Sequence, residues 1–132
     1  MTDQNMPASS DLVDIHVKPA FVREDSEPEE HHFVFSYTVT ITNRNHNNIR
    51  LLNRAWVITD GNGKVSEVQG KGVVGEQPVI APGDSYSYTS GCVFTTPVGF
   101  MQGHYEMQDI EMDVALNVPI PVFRMARDDI LH

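Results

Sequence analysis

A twelve-residue stretch, HFVFSYTVTITN, alternates apolar and polar side chains at nearly every position. A period of two puts successive side chains on opposite faces of a β-strand, whereas a helix repeats its apolar face every three or four residues. One face of such a strand is buried and the other is solvated, as is typical of antiparallel sheets. The buried face would carry Phe33, Phe35, Tyr37, Val39 and Ile41, and the solvated face Ser36, Thr38, Thr40 and Thr42.

The rest of the chain repeats this pattern in short segments separated by turn residues. DGNG at residues 60–63 is a strong hairpin signal, and APGD at residues 81–84 predicts a turn with proline in its second position. NRNHNN at residues 43–48 is interpreted as a hairpin connection between the second and third strands. The inner faces would carry Val13, Ile15 and Val17 in the first strand and Leu52, Trp56 and Ile58 in the third.

Seven strands and no helical period predict an all-β fold, a two-sheet antiparallel sandwich of the immunoglobulin or fibronectin type III kind. Pro19, Pro119 and Pro121 lie near the ends of the first and last strands, where a missing ladder donor is tolerated at an edge or a bulge. The expected structural core includes Tyr37, Trp56 and Tyr105.

Length and charge limit the classes of function. The 132 residues suit one domain, which we expect over residues 11–124, with a flexible N-terminus at 1–10 and a tail at 125–132. A net charge of -9 opposes nucleic acid or anionic membranes as partners, and the acidic residues 23–30 would form a solvated loop. The start lacks signal-peptide features and Cys92 is the single cysteine, so we expect a soluble, cytoplasmic protein.

Four blocks of the sequence carry a family resemblance: LLNRAWVITD, VQGKGVVGEQPVIAPGDSYSYTSG, TPVGFMQGHYEM and IPVF. Together they resemble the ApaG family over residues 11 to 123. The resemblance implies a small bacterial protein with a fibronectin type III-like sandwich, a genetic link to cobalt resistance and magnesium efflux, and no established enzymatic activity. Bacterial members are often encoded beside a diadenosine-tetraphosphate hydrolase, and related eukaryotic domains are thought to bind proteins. Phe100 departs from the family pattern, which has a small residue there.

Gly70, Gly72 and Gly75 have the spacing G-x-G-x-x-G of dinucleotide-binding loops. That use requires a helix directly after the loop, and Pro78 stops any helix beginning at Gly75. We therefore expect the glycines to allow positive φ and close backbone approach in a crossover between the sheets, with Val73 and Val74 turned inward. Two alternatives stay open, which are partner recognition by the exposed loop and phosphate binding by its amides and Lys71.

No constellation for metal binding or catalysis stands out. The histidines lack the spacing of a metal site, so we expect neither a metal nor another cofactor. Ser90 is not in a nucleophile elbow, and Asp60, Glu76 and Asp84 form no recognisable acid–base pair, so we expect no enzyme. Arg54 shares a face with Trp56, where it would pair with a buried carboxylate or stack on the ring. The histidines without such spacing are His16, His31, His32, His46 and His104.

These observations favour a non-catalytic protein-interaction module, acting as a monomer or a weak homodimer. Its partner would contact exposed loops or an edge strand through backbone hydrogen bonds. The alternative is a small-molecule sensor or accessory protein that binds nucleotide, pyrophosphate or their metal ions at the glycine loop. The candidate loop residues are Gly70, Lys71, Gly72, Gly75, Glu76 and Gln77, and the second candidate surface is Phe100 with Met101.

Overall fold

The computed structural model describes residues 6–127, which contain eight strands and three single-turn 3-10 helices. The 3-10 helices are Ser10–Leu12, Arg23–Asp25 and Pro28–Glu30. The strands are β1 Val13–Phe21, β2 Phe33–Asn43, β3 Ile49–Asp60, β4 Val65–Lys71, β5 Val79–Ile80, β6 Ser85–Phe94, β7 Val98–Asp109 and β8 Val114–Ala126.

The strands form two antiparallel sheets that pack into a sandwich. One sheet has the order β1-β2-β6, and the other has the order β4-β3-β7-β8 with β5 added beside β3. The predicted two-sheet fold is confirmed, and the strand missing from the sequence-based count is β5, which has only two residues. β1 contacts β8 along one side of the sandwich. On the other side β4 and β6 are edge strands, and among the described strands neither has a second neighbour.

The alternation of β2 explains its central place in the three-stranded sheet. All five of its predicted inner residues are buried. On the outer face its threonines bond to hydroxyls of β6 across the register of the two strands. The pairs are Thr38 with Thr89 at 2.8 Å, Thr40 with Ser87 at 2.8 Å and Thr42 with Ser85 at 2.7 Å.

Aromatic rings fill the space between the sheets. Trp56 is buried and lies 5.5 Å from Tyr37 and 5.9 Å from Phe123, measured between ring centroids. Tyr105 packs edge-on against the same indole. Edge-to-face contacts of this kind add roughly 1 kcal/mol each beyond the burial of apolar area.

The NRNHNN segment is not a hairpin, which corrects the prediction. β2 and β3 belong to different sheets, so residues 43–48 cross from one sheet to the other. The backbone of this crossover segment covers one end of the sandwich, so its buried polar groups need hydrogen-bond partners. The alternate asparagines supply these partners. Asn43 Nδ2 donates to Asn47 O and Ile80 O, and Asn47 Nδ2 donates to Asp109 Oδ2 at 2.8 Å.

Hydrogen bonds and strand pairing extend on both sides of residues 11–124, the bounds predicted for the domain. Ala8 N donates to Asp109 Oδ2 at the end of β7, and Ser9 N donates to Asn45 Oδ1 in the crossover segment. At the other end β8 continues to Ala126, and Met125 is buried in the core. The parts of the predicted N-terminus and tail at residues 1–5 and 128–132 lie outside the described residues.

Two irregularities change which side chains face inward. A register shift in β3 between Leu51 and Asn53 leaves Leu51 buried and Leu52 only partly covered, so the predicted inner position of Leu52 is wrong. A one-residue bulge exchanges the two faces of a strand, and a sequence pattern read without it fails at this point. A second shift opposite Met101 and Gly103 accommodates Pro121 in β8.

Candidate functional site

The glycine hairpin, residues 70–77, connects β4 to β5 within one sheet, so the predicted crossover between sheets is wrong. Val73 N donates to Glu76 O at 2.8 Å, and Glu76 N donates to Val73 O at 2.9 Å. The two residues between them, Val74 and Gly75, have φ of 48° and 79°. Positive φ at both central positions is the pattern of a type I′ turn.

The two valines of the hairpin have opposite surroundings. Val73 is 0% exposed and packs in the core, as predicted. Val74 was expected to turn inward as well, but it is 62% exposed at the tip of the turn. A β-branched residue with positive φ is an uncommon, strained conformation. The tip therefore combines an unfavourable backbone conformation with an exposed aliphatic side chain.

The three glycines have different physical roles. At Gly72 φ is 65°, and a Cβ would lie 2.2 Å from the carbonyl oxygen of Glu76, so no side chain fits. At Gly75 φ is 79° but a Cβ would meet open space. At Gly70 a Cβ would lie 2.7 Å from Cζ of Arg54, because the guanidinium lies directly over the glycine. The glycines are therefore explained by positive φ at Gly72 and Gly75, close backbone approach at Gly72 and the guanidinium over Gly70, and no following helix is needed.

Strand β3 forms hydrogen bonds with the glycine hairpin. The carbonyl oxygen of Leu52, exposed at the β-bulge, accepts from Gly72 N at 2.8 Å and from Gln77 Nε2 at 2.9 Å. Arg50 Nε donates to Gln77 O at 3.3 Å. Three amides of the hairpin, those of Gly72, Val73 and Glu76, are therefore used within the chain.

Arg54 makes neither of the contacts predicted for it. Its Nη1 donates to Lys71 O at 3.2 Å and to Gly72 O at 2.9 Å. Within the part of the chain that the structure describes, its guanidinium has no carboxylate within 4 Å and does not stack on Trp56. Arg54 therefore binds backbone carbonyls of the hairpin with one nitrogen, while Nε and Nη2 have no bond to a described residue.

A cleft of about 230 Å³, the hairpin cleft, opens beneath the turn. Burial raises the pKa of Tyr88 to about 12, although its bond to the Tyr105 hydroxyl lowers it. Burial also raises the pKa of Tyr37, although a hydrogen bond with Ser90 lowers it. The phenols are therefore neutral at pH 7, and Arg54 is the one charged group on the cleft wall. The wall also includes Trp56, Thr89 and the turn residues Val73, Val74 and Gly75.

Only one of the two residues predicted for the second surface is exposed. Phe100 is 40% exposed on the outer face of the five-stranded sheet, but Met101 is 1% exposed and belongs to the core, so its predicted place on the surface is wrong. Phe100 pairs with Thr59, whereas Lys71 of the hairpin pairs with Asn53. Six positions along a strand correspond to about 20 Å, so the structure does not bring the two surfaces together.

The other histidine, carboxylate and thiol side chains are dispersed over the described residues. Among residues 6–127 no three His, Cys, Asp or Glu side chains come together in a way that could hold a metal ion. His104 and Glu106 line a hollow of about 460 Å³ on the outer sheet face, where Asn53 Nδ2 donates to Glu106 Oε1. Burial raises the pKa of Cys92 to about 11, which leaves its thiol protonated at neutral pH. In the described range there is no helix with the length and hydropathy to cross a membrane.

Comparison with known proteins agrees with the fold and the sequence blocks. A family model described as the ApaG domain matches residues 23–109. The chain belongs to the ApaG family. Protein ApaG of Pectobacterium atrosepticum is 51% identical over 118 residues, which cover 89% of this chain and 94% of the relative. Protein ApaG of Escherichia coli O1:K1 is 50% identical over 124 residues, covering 94% and 98%.

A solved structure shows the same fold for an ApaG relative. The crystal structure of a Bordetella pertussis protein described as ApaA superposes with a TM-score of 0.85 at 43% identity, covering 88% of this chain and 94% of that one. Sequence reasoning found the glycine hairpin of this ApaG domain but missed the hairpin cleft. No sequence signal pointed to the cleft, because it depends on strands β3 and β6, which lie in different sheets.

Proposed function

We propose that this ApaG domain is a non-catalytic protein-interaction module whose partner binds at the tip of the glycine hairpin. The observation that carries the proposal is Val74, a β-branched residue held at φ 48° and 62% exposed. Asparagine would fit this turn position better, since it tolerates the left-handed region. Strain at an exposed site favours a functional reason for the residue, and contact with a partner would cover the aliphatic side chain.

The surroundings of Val74 suit a protein interface. An apolar centre with a polar rim is the usual anatomy of such contacts. Lys71 and Glu76 are exposed beside the turn, and Gln77 is half-buried. Phe100 would be a separate contact, since it lies about 20 Å along the sheet.

A binding role fits the chemistry of the cleft better than catalysis. The hairpin cleft is smaller than the roughly 300–1,000 Å³ of most small-molecule sites. Its phenols are held neutral, and its wall carries no carboxylate, imidazole or thiol for proton transfer. We place the module in the cytoplasm as a monomer or weak homodimer. A link to cobalt resistance or magnesium efflux would then act through the protein partner.

Capture with matched variants tests this function. The immobilised chain, its Val74→Asn variant and a Val122→Asn control are each exposed to bacterial lysate. Val122 is similarly exposed, at 59%, but lies on β8 without positive φ. The proposal expects a partner that is retained by the wild type and the control and lost with Val74→Asn. Equal recovery by all three proteins would contradict it.

Binding of a phosphate-rich ligand at residues 70–77 stays an alternative prediction. The amides of Gly72, Val73 and Glu76 already donate within the chain, which leaves fewer donors for phosphate. An amide NMR titration with pyrophosphate, ATP, diadenosine tetraphosphate, magnesium and cobalt tests it. Saturable shifts confined to residues 70–77 would support the sensor role, and no shift at millimolar ligand would remove it.

A further inference from the structure

The open side of the sandwich is a seam between the two edge strands β4 and β6. β4 pairs only with β3, and β6 pairs only with β2, so each has an unpaired edge among the described residues. Every residue of β4 except Gly70 is exposed. Exposed edges of this kind accept extended segments through backbone hydrogen bonds.

Two clefts follow each other along this seam. The hairpin cleft contains Arg54 of β3 and Ser90 of β6, while the next cleft, of about 250 Å³, contains Ile58 and Cys92 of the same strands. Ser90 and Cys92 are successive inward positions of β6, so the clefts adjoin. From residue 54 to residue 60 of β3 the seam measures about 20 Å, which is the length of about six extended residues.

The middle of the seam is apolar, and both of its ends are polar. Arg54 lies at the hairpin end, and Asp60 and Lys64 line the cleft at the other end. Val68 is directly opposite Trp56 in the sheet register, so its side chain faces the seam, where it is left exposed. Ser66 pairs with Ile58 on the same face. An occupant with aliphatic side chains would cover the valine.

The hairpin end carries a guanidinium with unused donors. Nη1 of Arg54 donates to the carbonyl oxygens of Lys71 and Gly72. The guanidinium packs directly over Gly70, and this contact fixes its plane. Nε and Nη2 have no bond to a described residue, and that edge of the group can bind one carboxylate with two parallel hydrogen bonds. A half-buried charge without a counter-charge is unfavourable and is stabilised by an incoming anion.

We propose that the seam between β4 and β6 binds an extended segment of a partner protein, whose carboxylate pairs with Arg54 in the hairpin cleft. The inference rests on the proposed function and adds the chemistry of the partner. Val74 lines the same cleft, so one partner contacts both the turn tip and the guanidinium. The carboxylate comes from an aspartate, a glutamate or a chain terminus.

A carboxylate fits this place better than a phosphate. One guanidinium edge matches the two oxygens of a carboxylate, whereas a polyphosphate needs several cations and amides. Lys71 is the other cation of the hairpin, and its side chain is exposed to solvent. The net charge of -9 also repels a polyanion more than a single carboxylate.

Peptide selection with a thermodynamic cycle tests the inference. Displayed seven-residue segments with free C-termini are selected in parallel on the wild type and on Arg54→Gln. The control is Arg124→Gln, which removes the same charge from an exposed position of β8, away from the seam. The best peptide is then synthesised with its carboxylate and with the matching amide, and all affinities are measured by calorimetry after amide spectra have verified each fold.

We expect the wild type and Arg124→Gln to enrich the same aliphatic segments, in which an aspartate, a glutamate or the free C-terminus has one fixed position, and Arg54→Gln not to enrich them. Arg54→Gln and amidation should each weaken binding roughly 10- to 100-fold, and the double change should cost little more than either alone. Bound peptide should slow alkylation of Cys92, which lines the second cleft. If Arg54→Gln unfolds the chain, Gly70→Ala is used in place of that variant. Its methyl group would displace the guanidinium from its position over residue 70.

The opposite results would overturn it. An amidated peptide that binds as tightly as its carboxylate form, or additive losses in the cycle, would mean that Arg54 does not receive an acidic group. A preference for phosphopeptides over carboxylates would equally reject the assignment. If no peptide is enriched, the seam is not a segment site and the inference fails, while Val74-dependent capture of a folded partner would still support the proposed function.

Discussion

Replacing Gly72 with alanine separates a structural role of the glycine hairpin from a ligand-binding role. A Cβ at this position would lie 2.2 Å from the carbonyl oxygen of Glu76 and 2.9 Å from its carbonyl carbon. Both atoms are backbone, so the hairpin must open to admit the methyl group. Gly75 has a similar positive φ but open space around it, which makes Gly75→Ala the matched control.

The expected cost for Gly72→Ala has three parts. A non-glycine residue at positive φ costs roughly 1 kcal/mol or more. Opening the turn breaks the two Val73–Glu76 backbone hydrogen bonds, at roughly 1 kcal/mol each. Partial exposure of buried Val73 adds about 1 kcal/mol. The sum is about 4 kcal/mol, whereas Gly75→Ala has only the first part, about 1 kcal/mol.

Urea denaturation followed by fluorescence measures both values, because Trp56 is the single tryptophan and is buried. In thermal unfolding the difference of about 3 kcal/mol corresponds to a Tm gap of about 12 °C for a domain of this size. If the two variants lose equal free energy, the close approach at Gly72 does not determine stability. The structural explanation of the glycine spacing would then be refuted.

Three further predictions use the same denaturation and labelling assays. Val74→Asn should raise the free energy of unfolding by roughly 1 kcal/mol, since asparagine relieves the strain at φ 48°, and a loss of stability would contradict the strain argument. Burial raises the pKa of Asp109, but hydrogen bonds from Asn47, Ala8, Met112 and Glu111 outweigh it, so the pKa is lowered. The stabilisation by the ionised carboxylate is therefore present above the unfolded pKa of about 4 and is lost as the pH falls towards the lower folded pKa. Asp109→Asn should lower the free energy of unfolding by roughly 3 kcal/mol at pH 7 and flatten its dependence on pH between pH 5 and 3. An unchanged pH dependence in the variant would contradict this. Cys92, with its pKa raised to about 11 from 9.0, should react with a disulfide reagent at pH 8 about 100-fold more slowly than a free thiol, and reaction at the free-thiol rate would show that it is not buried.

Much of the fold follows from periodicity alone. The alternation in β2, the hairpin turn after β3 and the turn at residues 81–84 act through neighbouring residues, and all of them are present in the structure. Alternation also predicted the inward positions of β1 and β2. These features need no knowledge of which strands lie side by side.

The failures come from non-local geometry. The bulge at Leu52 shifts the inner face of β3, and no local residue signals it. Asparagine-rich sequence is typical of exposed turns, yet here Asn43 and Asn47 are buried because the crossover needs polar partners inside. Exposed Val74 and buried Met101 were misplaced because turn type and sheet pairing decide which way a side chain points.

The candidate site shows the same limit. The glycine spacing identified the hairpin, but the contact between Arg54 and the hairpin carbonyls depends on β3 and β4 lying side by side. The seam depends on which strands are left without a neighbour in each sheet. Strand order is set by packing of the whole chain, and one sequence read segment by segment does not contain it.

The central claim is that a partner protein contacts the tip of the glycine hairpin. An amide NMR spectrum of the labelled chain, recorded with and without the captured partner, tests it most directly. We predict the largest intensity losses at residues 73–77 and at Thr89 and Ser90 across the cleft. Losses centred instead on residues 99–102 around Phe100, with the hairpin unchanged, would contradict it.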